Sequence, residues 1–298
     1  MRRQLWSTDA LLAMTVLIWS LNITVTKYIL THGVAPLSYA AVRYGLASLI
    51  FVVITLIVER SLRISGRRGH RIVAVAAVSL FLNQMCFVYA LKLTTATTVA
   101  LLLGTMPVFA GLLGWLTGLE RMTGRFWLAA GVSAAGVALV ALGSGGDVSG
   151  HLTGILAALG MAATWSVYSV AIAPLMRTYS PFRISAVVLP LAWVALTLAG
   201  GVQLSRQETD VNALVWLGLV FAVVGPLVLT NVFWFTAVHR VGPSRATLVA
   251  NLQPFVAAVV AVVLLSEPLD ALQIAGGVLI AAGILLAGGR PTAAAPAE

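Results

Sequence analysis

Trp19, Asn22, Arg43, Asn83, Trp165, Tyr168, Asn231, Asn251 and Gln253 are polar or aromatic side chains set within long apolar stretches of the chain. Their chemistry is recognition. Amides offer both donors and acceptors, ring faces hold an ammonium group without a formal anion, and a guanidinium presents a planar fork that fits a carboxylate or phosphate. A wall of rings and amides suits a small zwitterion. Each residue also has a plainer reading. Arg43 caps helix carbonyls or snorkels outward, an isolated Asn or Ser ties helices at about 0.6 kcal/mol per bond, and rings fill cores or interfacial belts, as Trp6 and Trp216 do near stretch ends.

Bond-breaking chemistry lacks its parts. An intramembrane hydrolase needs a nucleophile and base, or paired aspartates, at one depth. His32, His70, His151 and His239 all fall near ends or loops, and no Asp or Glu lies inside an apolar stretch. That second absence also disfavours proton-driven export of hydrophobic cations, which relies on a membrane carboxylate. The glycines of Gly143-Ser144-Gly145-Gly146 lack the Lys and strand of a phosphate-binding loop. Cys86, the lone cysteine, can form neither an intrachain disulfide nor a thiol metal set. No cofactor and no metal are expected. Energy coupling stays open between proton relay, with His239 as a candidate, exchange and facilitation.

The elements that position these residues follow from composition. Of 298 residues, 60% are apolar and 9% charged, whereas an ordinary soluble domain is about a quarter charged. The chain therefore reads as an integral membrane protein. Apolar stretches fall near 10–31, 35–58, 71–91, 95–117, 125–142, 151–172, 181–201, 212–237, 243–265 and 270–289. Each approaches the roughly 20 residues a helical span needs, and none alternates with the period of two that a barrel strand shows. Ten helices are expected. Arg2-Arg3 before the first stretch imitates a secretory leader, but the run is too long and has no early cleavage site, so it reads as the first span.

Assigning loops alternately to two sides sorts the charge. Fourteen arginines fall on one side, only Lys92 and Arg206 on the other, and Lys27 and Arg43 lie within spans. The positive-inside rule then places both termini in the cytoplasm. The net charge of +9 is thus topology information, scattered over loops with no basic face for nucleic acid.

The chain also repeats itself. Shifted by 147 residues, 90–142 lies without gaps on 237–289, with Pro107 on Pro254, Glu120 on Glu267 and Leu101 on Leu248. At offset 146, Trp19-Ser20 meets Trp165-Ser166. Residues 1–145 and 146–290 are read as two five-helix halves, followed by a disordered tail at 291–298. An odd span number makes the copies enter the membrane in opposite directions, a transporter device. Mid-depth polar residues follow the repeat. They concentrate in spans 1, 3, 4, 6, 8 and 9, whereas spans 5 and 10 are nearly all apolar and are expected at the periphery. Pro107, Pro226 and Pro254 interrupt the backbone ladder near that depth and are candidate hinges.

With ten spans, Trp-Ser opening each half, Arg43 in span 2 and the Ser266-Glu267-Pro268-Leu269 turn before the last span, the chain resembles the drug/metabolite transporter superfamily. Within it, the chain looks like the EamA-type branch and its YddG-type amino acid exporters. The first half departs at Arg121, which stands where the second has Pro268. The resemblance implies a ten-helix basket around a central cavity in a bacterial-type inner membrane. Together with the residues above, it leads to the expectation of a secondary transporter exporting amino acids, aromatic and apolar ones included, or similar small metabolites. Other small molecules, such as drugs or sugar and nucleotide derivatives, are the alternative. The expected partners are the solute and the bilayer. Because both halves are already fused, the expected functional unit is a monomer.

Overall fold

A computed structural model describes residues 7–118, 122–144, 148–241 and 243–287. Glu120, Arg121 and the 291–298 tail lie outside these. The helices are α1 (Thr8–Thr31), α2 (Pro36–Glu59), α3 (Gly66–Leu93), α4 (Ala96–Leu103), α5 (Met106–Leu116), α6 (Gly124–Gly143), α7 (Val148–Ile172), α8 (Pro181–Ser205), α9 (Ala213–Val223), α10 (Thr230–Val241), α11 (Pro243–Ala250), α12 (Gln253–Leu265) and α13 (Ala271–Ala287). Among the described residues there is no strand. In hydrocarbon every backbone polar group must be satisfied within its own segment, which a helix achieves. Seven helical stretches are long and apolar enough to cross a membrane, the α4–α5 pair, bent by 41°, makes an eighth, and α12 and α13 are apolar but shorter.

Three of the apolar stretches are interrupted, and proline chemistry fixes where. A proline at position i gives no N–H to the carbonyl at i−4. Pro107 therefore orphans Leu103, the last residue of α4, and Pro254 orphans Ala250, the last residue of α11. Each proline then occupies the first turn of the next helix, where its missing donor costs nothing. The third, Pro226, sits in a π-helical turn, Val224–Leu229, that joins α9 to α10. Single-turn π insertions of this kind recur at functional sites.

The helices pack in pairs: α3 on α7, α2 on α8 and α6 on α13, with α1 against both α10 and α12, and α4 against α12. The α6–α13 contact is made by glycine. A Cβ built on Gly136 would lie 2.7 Å from the Gly276 carbonyl oxygen, and one on Gly276 would lie 2.5 Å from that of Gly136. Small residues let backbones approach where lipid supplies no hydrophobic drive. The α2–α8 pair is stapled at both ends. The first-turn amides of α2 have no side-chain cap of their own, and Gln207 and Gln203 supply acceptors to Ala35 N–H at 2.8 Å and Leu37 N–H at 2.9 Å. At the other end Glu59 accepts from Arg183 Nε at 2.8 Å and from the Ser180 hydroxyl.

Candidate solute pathway

Trp19 and Asn22 share a face of α1, three residues apart, and that face meets α10. Trp19 Nε1 donates to Thr230 Oγ1 at 2.9 Å, and its ring lies 5.5 Å from that of Trp234, tilted by 45°. Asn231, next to Thr230 and one turn before Trp234, is half-buried. Thr230 Oγ1 in turn donates to the Pro226 carbonyl at 2.7 Å, anchoring α10 to the π turn.

A second polar group runs through α2, α3 and α7. Arg43, only 4% exposed, donates from Nε to the Ala222 carbonyl at 2.9 Å and from Nη1 to Gln84 Oε1 at 3.4 Å. Its guanidinium carbon lies 5.8 Å from both the Tyr39 and Phe87 ring centres. Gln84 Nε2 donates to Asn83 Oδ1 at 3.0 Å, and Asn83 Nδ2 donates to the Met161 carbonyl at 2.8 Å. Arg43 thus serves as a carbonyl cap here.

The two Trp-Ser serines make equivalent bonds. Ser20 Oγ donates to the Gln253 carbonyl at 3.2 Å, while Ser166 Oγ lies at the same 3.2 Å from that of Met106 and shares its proton with the nearer Ala162 carbonyl at 2.9 Å. Gln253 and Met106 are the residues immediately before Pro254 and Pro107. Each serine therefore touches the first residue after a helix break. Asn251 lies in the break between α11 and α12 and is half-buried, as is Gln253.

Exposure along one stripe of α7 rises toward its C-terminal end. Ala158, Met161 and Ala162 are buried against neighbouring helices, yet Trp165 and Ser169, on the same stripe by three- and four-residue spacing, are exposed, Trp165 by 38%. Trp165 keeps Tyr168 as a ring neighbour at 5.4 Å. This exposed stretch lies toward the end of the bundle that holds Arg60. There Ser65 N–H donates to Tyr179 Oη at 2.9 Å, and this bond holds the phenol's pKa below its ordinary value.

The opposite end is tied together by charge. Lys27 Nζ donates to the Leu91 and Thr94 carbonyls, both at 2.7 Å, closing the C-terminus of α3. Three residues beyond Thr94, the Glu267 carboxylate accepts from Ala96 N–H and Thr97 N–H at 2.8 Å and from Thr97 Oγ1 at 2.7 Å, capping α4. A cation at a helix C-terminus and an anion at the next N-terminus both complement the helix dipoles. Three elements meet here: the last turn of α1, the α3–α4 junction and the loop before α13. Glu267, Thr97 and Thr230 are absent from the sequence-derived site. The repeat marked Glu267 as a recurring acid, but its partner lies 170 residues away.

Known proteins bear on this arrangement. Over 281 residues, covering 94% of this chain and 90% of the relative, it is 27% identical to the uncharacterized transporter YvbV of Bacillus subtilis. It is 30% identical over 196 residues to a probable terminal-alkyne amino-acid exporter of Streptantibioticus cattleyicolor, covering 64% of this chain and 63% of that one. A probable amino-acid metabolite efflux pump of Salmonella typhimurium is 25% identical, covering 93% and 94%. A solved crystal structure shares the fold with a TM-score of 0.62 at 20% identity, covering 94% of this chain and 96% of the other. The model of the EamA-like transporter family matches twice, over residues 6–142 and 152–289. With seven to eight membrane-length helical stretches, the chain is a multi-pass transporter of small molecules in a bacterial-type inner membrane, not an enzyme, and it belongs to the EamA-like transporter family.

Proposed function

We propose that this transporter is a secondary carrier that exports amino acids, aromatic and apolar ones included, or similar small metabolites, by alternating access. In this reading α4–α5, α9–α10 and α11–α12 are single interrupted spans. There are then ten spans in two inverted halves, 1–145 and 146–290, with both termini cytoplasmic. The packing supports it, because exchanging each span with the one five places on maps several of the main helix contacts onto one another, although those of α1 and α2 with α3 have no comparable counterpart in the second half among the described residues. The α3–α7 contact becomes α10–α1, and α1–α12 becomes the contact of α7 with α4 and α5. The family model's separate match to each half supports it too.

The observation that carries the transport mechanism is the one-sided seam of α7, filled at Ala158 and Ala162 and open at Trp165 and Ser169. With arginine-rich loops cytoplasmic, the open end faces the cytoplasm and the Lys27–Glu267 caps close the outside. That is the inward-facing state of a carrier. Trp19, Asn22, Arg43, Asn83, Trp165, Tyr168, Asn231, Asn251 and Gln253 form the solute path, and Pro107, Pro226 and Pro254 mark the hinges. Names of two relatives, a terminal-alkyne amino-acid exporter and an amino-acid metabolite efflux pump, support the solute class. The working unit is a monomer without cofactors.

The test is reconstitution into liposomes and efflux of a labelled amino acid panel. Saturable flux of apolar and aromatic members above empty liposomes is expected. Absence of flux for the whole panel refutes the solute assignment.

A further inference from the structure

Of the eight buried side-chain atoms without a hydrogen-bond partner among the described residues, six are hydroxyls and two are amide oxygens, Asn22 Oδ1 and Asn231 Oδ1. The distinction matters. A hydroxyl can turn its proton toward a nearby carbonyl of its own helix, whereas an amide oxygen only accepts and waits for a donor. Asn22 is only 8% exposed, so bulk water does not serve it. An unmet buried acceptor is costly, and one left open on a pathway is best explained by an absent donor.

The two asparagines lie on α1 and α10, helices that pack against each other. Asn22 lies one turn along α1 from Trp19, and Asn231 follows Thr230, to which Trp19 donates. Trp234, one turn after Asn231, completes the tilted ring pair with Trp19. The α1–α10 contact therefore carries two unmet acceptors, each within one helical turn of an indole that joins the two helices. The nearest cation on α1, Lys27, is committed to Leu91 and Thr94. Acceptor oxygens and ring faces both attract N–H groups carrying positive charge. They repel carboxylate and phosphate.

We propose that Asn22 and Asn231, with the Trp19–Trp234 pair, form the ammonium subsite of the carried solute. This rests on the transport reading above and narrows it: the solute must bring an amine, and the subsite selects amine-bearing solutes over their deaminated analogues. Asn22 and Asn231 are then specificity-determining residues.

Equilibrium binding of tryptamine, tryptophan and indole-3-propionate to purified protein in lipid nanodiscs tests the subsite, alongside tryptophan flux in liposomes. Wild type is expected to prefer both amines over indole-3-propionate by about tenfold, the scale of one desolvated cation–π and hydrogen-bond set. Asn22→Leu and Asn231→Leu should erase that preference. Where a leucine variant fails to fold, the near-isosteric Asn22→Asp and Asn231→Asp replace it and should raise the preference. An unchanged preference in all folded variants overturns the subsite and leaves a water-filled pair, even with flux intact. Amine preference without tryptophan flux upholds the subsite and refutes the amino acid export reading. No amine preference in wild type refutes the subsite whatever the flux.

Discussion

Arg43 Nε donates at 2.9 Å to the carbonyl of Ala222, the one carbonyl whose α-helical donor would be Pro226. The guanidinium of α2 thus completes the backbone of a neighbouring span at the point where proline broke it. Irregular backbone in a membrane is tolerated when buried in protein partners, and here the partner is a charge. The two residues should therefore be coupled. Arg43→Leu in the native background is expected to cost about 1–3 kcal/mol through the unmet carbonyl. Pro226→Ala restores an amide, so the same change should cost at least about 1 kcal/mol less in that background. Reversible unfolding in mixed micelles gives the four corners of the cycle. Additive costs would mean that Arg43 is not there for the proline.

Glu267 accepts three hydrogen bonds at the start of α4 and belongs to a loop from the other end of the sequence. Removing a cap costs about 0.5–2 kcal/mol, and a population balance responds by roughly two- to thirtyfold. Glu267→Ala should shift the carrier toward the state open at the Lys27 end. The measurement is labelling of a single cysteine at Ala100 by an impermeant thiol reagent from outside, in a Cys86→Ala background. Thr97→Val, which keeps both amide bonds to Glu267, should shift it less. Equal labelling in Glu267→Ala and its parent would sink the seal.

The two tryptophans of the Trp-Ser pairs are not equivalent, although the repeat aligns them. Trp19 is held by Thr230 and Trp234, while Trp165 is 38% exposed in the open seam. Trp19→Ala should lower thermal stability, by about 3 kcal/mol if the site behaves as a core position. Trp165→Ala should leave stability nearly unchanged and raise KM for aromatic solutes, about tenfold for loss of ring contacts. Thermal unfolding and efflux kinetics on both variants separate the cases. A stability loss at Trp165 matching that at Trp19 would place both rings in the core.

Local chemistry carried the sequence reading as far as it reached. The interruptions near Pro107, Pro226 and Pro254 follow from a missing amide, which a sequence displays directly, and the close α6–α13 approach follows from the glycines both stretches carry. What stayed hidden depends on partners distant in the chain. Arg43 had a capping reading beside a solute-binding one, and its bond to the Ala222 carbonyl, like those of Lys27 to Leu91 and Thr94, is invisible to spacing. Glu267 stood out as a recurring acid, but the amides of Ala96 and Thr97 cannot be inferred from spacing. Pro190 drew no notice and is accommodated inside α8, so a proline does not by itself predict an interruption.

Glycine is the residue type for which sequence and structure diverge most, and α6 offers a controlled comparison within one helix. Gly131 has nothing within 4 Å of where a Cβ would stand, whereas a Cβ on Gly136 would meet the Gly276 carbonyl oxygen at 2.7 Å and the Ile280 side chain at 2.9 Å. Both sit in helical backbone, so the propensity gain from alanine is the same at each, about 1 kcal/mol at most. The difference is the neighbour. Backbone atoms of a packed helix cannot step aside as a flexible side chain can, and overpacking costs typically about 1–3 kcal/mol. Gly131→Ala is therefore expected to be neutral or stabilising, and Gly136→Ala to lower the unfolding midpoint and loosen α6 from α13. Thermal melts report the first effect, and crosslinking of paired cysteines on the two helices reports the second. If both substitutions behaved alike, the contact between Gly136 and Gly276 would not be what holds the pair together.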